Sequence, residues 1–254
     1  MILVLVKALN ILDFLGKTPN REIPLGEIAA ALNMDRGTCS NIMKTLAAKG
    51  FVQQSDPRMG YKLGYMIYSL ANSSVNNDEL TKIAREDVTK LGDKLNESAI
   101  LSVIRNDKRV VLFQSRPDRE QILTANIDKS VYSANTARVI LANYTPPHQE
   151  KFIIRNGMPT ETQWPELYRS SNPSGELMNE LSSIKRKGYA IQEDRHSSTT
   201  GFAAPLFRRG HVEGSVGVFI PDSREIDRKA ILCEVLDCAR EINHKIALID
   251  KIEE

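Results

Sequence analysis

Apolar residues recur every three to four positions over the first 50 residues, which is the spacing of amphipathic helices. The pattern predicts helices over residues 3–16, 25–32 and 36–49. Asp35 stands where an N-cap of the third helix is expected, because a carboxylate there accepts from backbone N–H groups of the first turn. The predicted inward stripe of that helix consists of Cys39, Ile42, Met43, Leu46 and Ala47. Three short helices with a tight turn before the third are typical of a helix-turn-helix.

Two short alternating runs follow, over residues 51–54 and 61–63. Segment 55–60 between them contains Pro and Gly, which favour a turn, so the pattern predicts a β-hairpin with Arg58 at its tip. A hairpin directly after a helix-turn-helix is the wing of a winged helix.

The outward face of the third helix is polar and mostly small, which lets it approach base edges in a major groove. We therefore predict a DNA interface in which the wing contacts backbone phosphates. Its candidate residues are Arg36, Gly37, Thr38, Ser40, Asn41, Lys44, Thr45, Arg58 and Lys62. A protein-docking winged helix is the alternative, and it would favour an apolar outward stripe, which this helix lacks.

The second part of the chain alternates between helical and strand patterns. Helices are predicted over residues 79–95, 134–143, near 149, 175–187 and 224–252, and strands over 98–104, 109–115, 122–127, 189–193, 202–207 and 212–220. This order predicts an α+β domain with a mainly antiparallel sheet. We expect a winged helix-turn-helix over 1–63, a linker helix over 64–77 and the α+β domain over 78–254.

Charge adds a little to this interpretation. Residues 1–75 hold eight Lys and Arg against five Asp and Glu, a net +3, while the rest of the chain has 26 against 27, a net −1. A basic N-terminal unit suits phosphate contact, although a solvated face would have the same balance. No apolar run is long enough to span a bilayer. Cys39, Cys233 and Cys238 are expected to be reduced packing residues of a cytoplasmic protein.

Several segments, in this order, resemble the IclR family of bacterial transcription regulators. They are Leu5-Val-Lys-Ala-Leu-Asn-Ile-Leu12, Leu25-Gly-Glu-Ile-Ala-Ala-Ala-Leu32, Leu46-Ala-Ala-Lys-Gly-Phe-Val52, Tyr61-Lys-Leu-Gly64, Gly188-Tyr-Ala-Ile191 and Phe202-Ala-Ala-Pro-Leu206. The resemblance covers nearly the whole chain. It implies a regulator with a GAF-like sensor domain, whose effectors in the family are often small organic or aromatic acids. Asn41 replaces an Arg common in the family, which implies a different operator.

The resemblance also implies an effector site, and this chain departs from the family pattern there. Ala137 and Arg138 replace a Gly-Lys pair, and Gln192 replaces an acid. The implied effector-binding residues are Asn135, Thr136, Gln192, Gly201, Gly217 and Phe219. These groups are uncharged or apolar, so a neutral or amphipathic ligand is expected and a small keto acid is not.

Two other interpretations of these residues stay open. Asn135 and Thr136 are also suited to capping a helix, with Gln192 an ordinary strand-end residue. The pocket would then be degenerate, with regulation arriving by other means.

Enzymatic chemistry is not expected. Asp194, His196 and Ser197 are too close in the chain to line up as a catalytic triad. The four histidines are scattered without partners at metal-ligand spacing, and no phosphate loop or dinucleotide fingerprint occurs, so neither metal nor cofactor is predicted. The expected partners are duplex DNA with a pseudo-palindromic operator, a small-molecule effector, and a second copy of the chain in a dimer or tetramer.

Overall fold

The structure is a computed structural model of the 254-residue chain. It describes residues 1–18, 21–56, 59–67, 69–70, 78–115, 130–194, 198–224 and 227–252. The chain divides into two compact units, Met1–Asn77 and Asp78–Glu254. Each unit has its own apolar core.

The N-terminal unit begins with three helices, in the order that the apolar periodicity predicts. They are α1 (Leu3–Gly16), α2 (Leu25–Ala31) and α3 (Arg36–Ala48). Their buried faces meet around Ile11, Ile28 and Met43, all of which are fully enclosed. The packing fixes the outward face of α3, because Cys39, Ile42 and Met43 of that helix point into the core.

The predicted wing is present, and it has a third partner. Strands β1 (Val52–Gln53) and β2 (Lys62–Leu63) pair antiparallel. Ile23, in the segment before α2, also exchanges two backbone hydrogen bonds with Tyr61, of 2.9 and 2.8 Å. Because a two-stranded hairpin alone is marginally stable, this extra pairing supports the base of the wing. Residues 65–67 and 69–70 are helical, at the start of the predicted linker helix. The remainder of that prediction, 71–77, lies outside the described residues.

The C-terminal unit is built on a five-stranded antiparallel sheet. Its strands are β3 (Ala99–Arg105), β4 (Lys108–Ser115), β5 (Ala190–Asp194), β6 (Thr199–Arg208) and β7 (His211–Pro221), in the order β4-β3-β7-β6-β5. Its helices are α4 (Glu79–Leu95), α5 (Asn135–Asn143), α6 (Pro146–Asn156), α7 (Pro173–Lys187) and α8 (Arg228–Ile252), with 3-10 turns at Val131–Ser133 and Pro165–Arg169. The predicted strand over 122–127 lies outside the described residues.

Helices cover both faces of this sheet. Leu101, Phe202 and Val218 face one side, where α4 and α8 close the core. Ala203 faces the other side, under α5, α6 and α7. Because side chains alternate along a strand, Gly201 lies on the same side of the sheet as Ala203, two residues away. Gly217 is opposite Ala203 on β7, so both glycines lie beneath α5.

Three predictions about single residues were wrong. Helix α8 begins at Arg228 and not at Arg224, whose guanidinium donates to the Leu95 carbonyl at 2.7 Å instead. Ala47 is exposed, because the inward stripe of α3 continues from Met43 to Leu46, which packs against the core, and leaves Ala47 outside it. Cys233 is exposed as well, so only two of the cysteines are packing residues.

Candidate DNA interface and effector site

The start of α3 is fixed by Asp35. Its carboxylate accepts a hydrogen bond from the Thr38 N–H at 2.9 Å, which confirms the predicted N-cap. That bond lowers the pKa of Asp35, since it stabilises the ionised form. The cap orients the first turn of α3, where Gly37 and Thr38 were predicted to approach bases.

The predicted DNA-contacting residues of α3 form one accessible face. Arg36, Gly37, Asn41, Lys44 and Thr45 are exposed, and Thr38 and Ser40 are half-buried. The Thr45 hydroxyl donates back to the Asn41 carbonyl at 3.1 Å. No ion pair involves Lys44 among the described residues, so its charge is available on this face.

Lys62 of the wing is placed differently from Lys44. Its ammonium lies 3.0 Å from Glu22 Oε1 and donates to Ser55 Oγ at 3.1 Å. Ser55 also donates to Glu22, and the hydrogen bonds from Ser55 and Lys62 lower the pKa of Glu22. Lys62 therefore already has an anionic partner within the protein. Arg58, the predicted tip residue, lies outside the described residues.

The end of α3 is joined to the linker segment through two glycines. The Gly64 N–H donates to the Phe51 carbonyl at 2.8 Å, and the Met66 N–H donates to the Gly50 carbonyl at 3.1 Å. Gly50 has φ +73°, and the Tyr65 ring covers its Cα so closely that a Cβ would lie 2.7 Å from the ring. The linker segment thus begins in direct contact with the end of α3.

In the C-terminal unit, the predicted effector residues converge at the start of α5. A Cβ on Gly201 would lie 2.7 Å from Asn135 Nδ2 and 3.1 Å from the Phe219 ring. Phe219 and Gln192 are the residues opposite Gly201 on the two neighbouring strands. The glycine lets the amide and the ring approach the sheet together.

Thr136 makes the equivalent approach to Gly217. A Cβ there would lie 2.8 Å from the Thr136 methyl group. Ser215, on the same strand face, donates to the Thr136 carbonyl at 2.8 Å. On the β5 side, Gln192 Nε2 donates to the Ser133 carbonyl at 3.2 Å. Asn135 and Thr136 therefore form the first turn of α5, and the other four predicted residues lie around it.

At the first turn of α5 and on the sheet beneath it, three fully buried polar atoms have no hydrogen-bond partner among the described residues. They are Asn135 Nδ2, Thr136 Oγ1 and Ser102 Oγ. Leaving such groups unsatisfied costs about 1–3 kcal/mol each. The capping interpretation is met only in part: Asn135 Oδ1 accepts from the Thr136 N–H at 2.9 Å, but the N-cap position is Ala134, which has no side-chain bond.

Arg138 does not face this group. Its guanidinium lies 3.8 Å from the centroid of the Trp164 ring and donates to the Tyr132 and Gln163 carbonyls at 2.7 and 2.9 Å. Burial lowers the pKa of Arg138 to about 9, which leaves the group charged at neutral pH. The guanidinium at the position of the family's Lys therefore binds Tyr132 in the first 3-10 turn, and it binds Gln163 and Trp164 just before the second.

Sequence reasoning missed several residues of both sites. Ser102 lies on β3, and Glu22 and Ser55 lie in loops, so none had a periodic or motif signal. The alternation of β3 would place Ser102 on the face of Ile100 and Ile104, which is the one clue available.

In the described ranges, no three His, Cys, Asp or Glu side chains are placed to hold a metal ion. Of the three residues weighed as a triad, Asp194 ends β5, while His196 and Ser197 lie outside the described residues. Within those same limits, no helix is long and apolar enough to cross a membrane.

Comparison with known families decides the identity. Residues 4–56 match the IclR helix-turn-helix domain, and residues 72–244 match the C-terminal domain of bacterial transcriptional regulators of the IclR type. The chain belongs to the IclR family. It is a DNA-binding transcription regulator, as the resemblance implied, and the family is one of regulators and not of enzymes.

Individual relatives agree with this assignment. The chain is 26% identical to the probable HTH-type transcriptional regulator ArcR of Halobacterium salinarum, over 86% of this chain and 83% of the relative. It is 26% identical to the glycerol operon regulatory protein of Streptomyces griseus, over 89% of each chain. Among solved structures, an IclR homologue from Microbacterium hydrocarbonoxydans complexed with 4-hydroxybenzoate has the same fold, with a TM-score of 0.72 at 15% identity, over 96% of this chain and 99% of that one.

Proposed function

We propose that this IclR regulator reads its operator with the outward face of α3, and that a small molecule held beneath α5 changes its operator affinity. The observation that carries the DNA contact is the exposed polar face formed by Asn41, Lys44 and Thr45, fixed at its start by the Asp35 cap. Asn and Lys side chains at such positions hydrogen-bond base edges and phosphates. The protein would act in the cytoplasm, where operator DNA lies.

A second copy of the chain completes this proposal. Six residues at the start of the chain are large, apolar and more than half exposed: Met1, Ile2, Leu3, Val4, Leu5 and Leu9. An apolar cluster of this kind indicates a protein contact. Pairing through α1 would place two α3 helices in successive major grooves of a pseudo-palindromic operator, as a dimer or as a tetramer of two such dimers.

A salt titration tests the DNA interface. Lys44→Ala should weaken binding to operator fragments selected from the source genome and flatten the plot of log affinity against log salt by about 0.9 per protomer, since one phosphate contact is lost. Lys185→Ala, an exposed lysine of the C-terminal unit, serves as the matched control and should leave the slope unchanged. Unchanged binding of Lys44→Ala would remove α3 from the interface and favour a protein-docking winged helix.

The proposed effector is uncharged. Among the described residues, the amide nitrogen of Asn135 and the hydroxyls of Thr136 and Ser102 lack partners, and such groups suit an oxygen acceptor. Arg138 is used elsewhere. Arg109 is buried, and its backbone pairs with Ile104 on β3, two residues along that strand from Ser102. Because the groups at the first turn of α5 are uncharged, a carboxylate held there would be desolvated at a substantial cost.

A matched pair of ligands tests this class. The related structure holds 4-hydroxybenzoate, so 4-hydroxybenzamide and 4-hydroxybenzoate are suitable probes of equal shape. The amide should raise the thermal unfolding temperature more than the acid does, because ligand binding stabilises the folded state. The opposite order would overturn the proposal for an uncharged effector. No stabilisation by either probe or by a metabolite panel would favour a degenerate pocket.

A further inference from the structure

Lys62 is the one described wing residue that we expected to contact phosphate, but its ammonium forms an ion pair with the Glu22 carboxylate instead. The ammonium lies 3.0 Å from Glu22 Oε1, and the exposed fractions of the two side chains are 35% and 14%. Ser55 Oγ lies 3.1 Å from the same ammonium and donates to the same carboxylate oxygen. One loop residue, one hairpin residue and one strand residue thus meet at a single point.

The segment that carries Glu22 is pressed against the wing. Ile23 and Tyr61 exchange backbone hydrogen bonds of 2.9 and 2.8 Å. A Cβ on Gly60 would lie only 2.4 Å from the Ile23 carbonyl carbon, so the two backbones are in direct contact. The ion pair extends this seam on the adjacent residues, Glu22 on one side and Lys62 on the other.

The wing needs such support because its own ladder is short. Strands β1 and β2 contribute only two residues each, Val52–Gln53 and Lys62–Leu63. A hairpin of this size does not hold a fixed position without further contacts. The loop before α2 is fixed at its other end by α2 itself, so it is a stable anchor for the wing.

A basic residue that contacts phosphate and one that forms an ion pair within the protein differ in how they affect the salt dependence of binding. Affinity that depends on salt comes from cations that displace counterions at phosphates. Lys62 faces a carboxylate whose pKa is lowered by Ser55 and by Lys62, so the pair is ionised and adds no net charge to the surface at neutral pH. Lys44 is exposed and has no such partner among the described residues.

We propose that Glu22, Ser55 and Lys62 form a strut that fixes the wing against the loop before α2, and that Lys62 is a positioning residue for DNA binding and not a phosphate contact. The proposal rests on the proposed DNA interface. It assigns the phosphate-dependent part of binding to other residues of that interface, Lys44 among them.

The test compares salt slopes, using a labelled duplex of random sequence as the probe. The variant Glu22→Gln/Lys62→Met removes both charges of the strut, whereas Lys44→Met removes one free charge. The double variant should bind more weakly but keep the wild-type slope, while Lys44→Met should flatten the slope by about 0.9 per protomer. A slope that falls as far in the double variant as in Lys44→Met would overturn the strut proposal. A Lys44→Met slope equal to wild type would contradict the DNA interface instead.

A second measurement reports on the wing itself. Amide hydrogen exchange of Ile23 and Tyr61, whose N–H groups donate to each other's carbonyls, should accelerate in Glu22→Gln and in Lys62→Met, because either change removes the ion pair beside them. The charge-reversed variant Glu22→Lys/Lys62→Glu restores an ion pair with the acidic and basic residues exchanged. It should therefore slow the exchange again and recover part of the lost affinity for DNA. Wild-type exchange in both single variants, or reversal that weakens binding beyond Lys62→Met, would overturn the proposal.

Discussion

The side-chain amide of Asn135 lies directly over Gly201, at a distance that leaves no room for a Cβ. That Cβ would come within 2.7 Å of Asn135 Nδ2 and 3.0 Å of its Cγ. The first turn of α5 and the sheet are therefore packed together at this point. The absence of a side chain at residue 201 and the presence of the amide at residue 135 depend on each other.

Gly201→Ala should destabilise the C-terminal unit by about 1–3 kcal/mol, since overpacking forces neighbouring groups to shift. Urea unfolding measures the loss. Asn135→Ala/Gly201→Ala removes the clash with the amide and leaves the tighter-than-usual contact with the Phe219 ring, so the double variant should be more stable than Gly201→Ala alone, a positive coupling between neighbours. Additive effects of the two changes would contradict the direct contact.

A second close approach fixes the base of the wing. A Cβ on Gly60 would lie 2.4 Å from the carbonyl carbon and 2.5 Å from the nitrogen of Ile23. Because backbone cannot yield as a flexible side chain does, Gly60→Ala should cost about 2 kcal/mol or more and weaken DNA binding. Thermal unfolding and duplex binding check both effects.

Gly26→Ala is the matched control, because the nearest atom to its Cβ would be the Arg36 side chain at 3.8 Å. Gly26 lies within α2, where replacement of Gly by Ala favours the helix by about 1 kcal/mol. The two variants should therefore change stability in opposite directions. Equal effects would mean that the Gly60–Ile23 contact does not constrain the wing.

These contacts show what the sequence could and could not predict. Helix α3 and its Asp35 cap follow from local periodicity, and they were predicted within one residue of their observed bounds. The pairing of Ile23 with Tyr61 joins segments far apart in the chain, and neither residue carries a signal for the other. The residues of the proposed effector site were named from the family resemblance, but the Ser102 hydroxyl beside them could be placed only with the sheet register.

The Asp35 cap predicts how the stability of the fold depends on pH. Its folded pKa is lowered, chiefly by the Thr38 N–H, so its stabilising contribution is present above the ordinary value of 3.8 and is lost as pH falls through the lower folded value. Asp35→Ala should be less stable than wild type at neutral pH, and the difference should shrink below pH 3.8.

Asp35→Asn separates the cap from the charge, because Asn also caps helices well. This variant should stay close to wild type at neutral pH without the same loss in acid. Circular dichroism melts of the three proteins across this range provide the measurement. A difference between wild type and Asp35→Ala that grows in acid would contradict the direction of the pKa shift.

Arg138 and Trp164 allow a fourth prediction with a built-in reporter, since Trp164 is the single tryptophan. The guanidinium lies 3.8 Å from the ring centroid and bonds two carbonyls. Arg138→Met should cost about 3 kcal/mol, because it removes a desolvated cation–π contact and leaves both carbonyls unpaired. Arg138→Lys should lose less stability than Arg138→Met. An ammonium keeps the charge, although it loses the planar stacking and the pair of hydrogen bonds to the two carbonyls.

Trp164 fluorescence during urea unfolding measures both variants, and the emission of the folded state should change in each because the cation leaves the ring face. Arg155→Met is the matched control: that arginine is exposed and pairs with Asp107, and exposed ion pairs contribute at most about 1 kcal/mol. Equal stability losses for Arg138→Met and Arg155→Met would show that the buried contact does not hold α5. A loss confined to Arg138 would mean that the arginine which stands in the family's Lys position serves packing here, leaving the ligand to the uncharged groups beneath the helix.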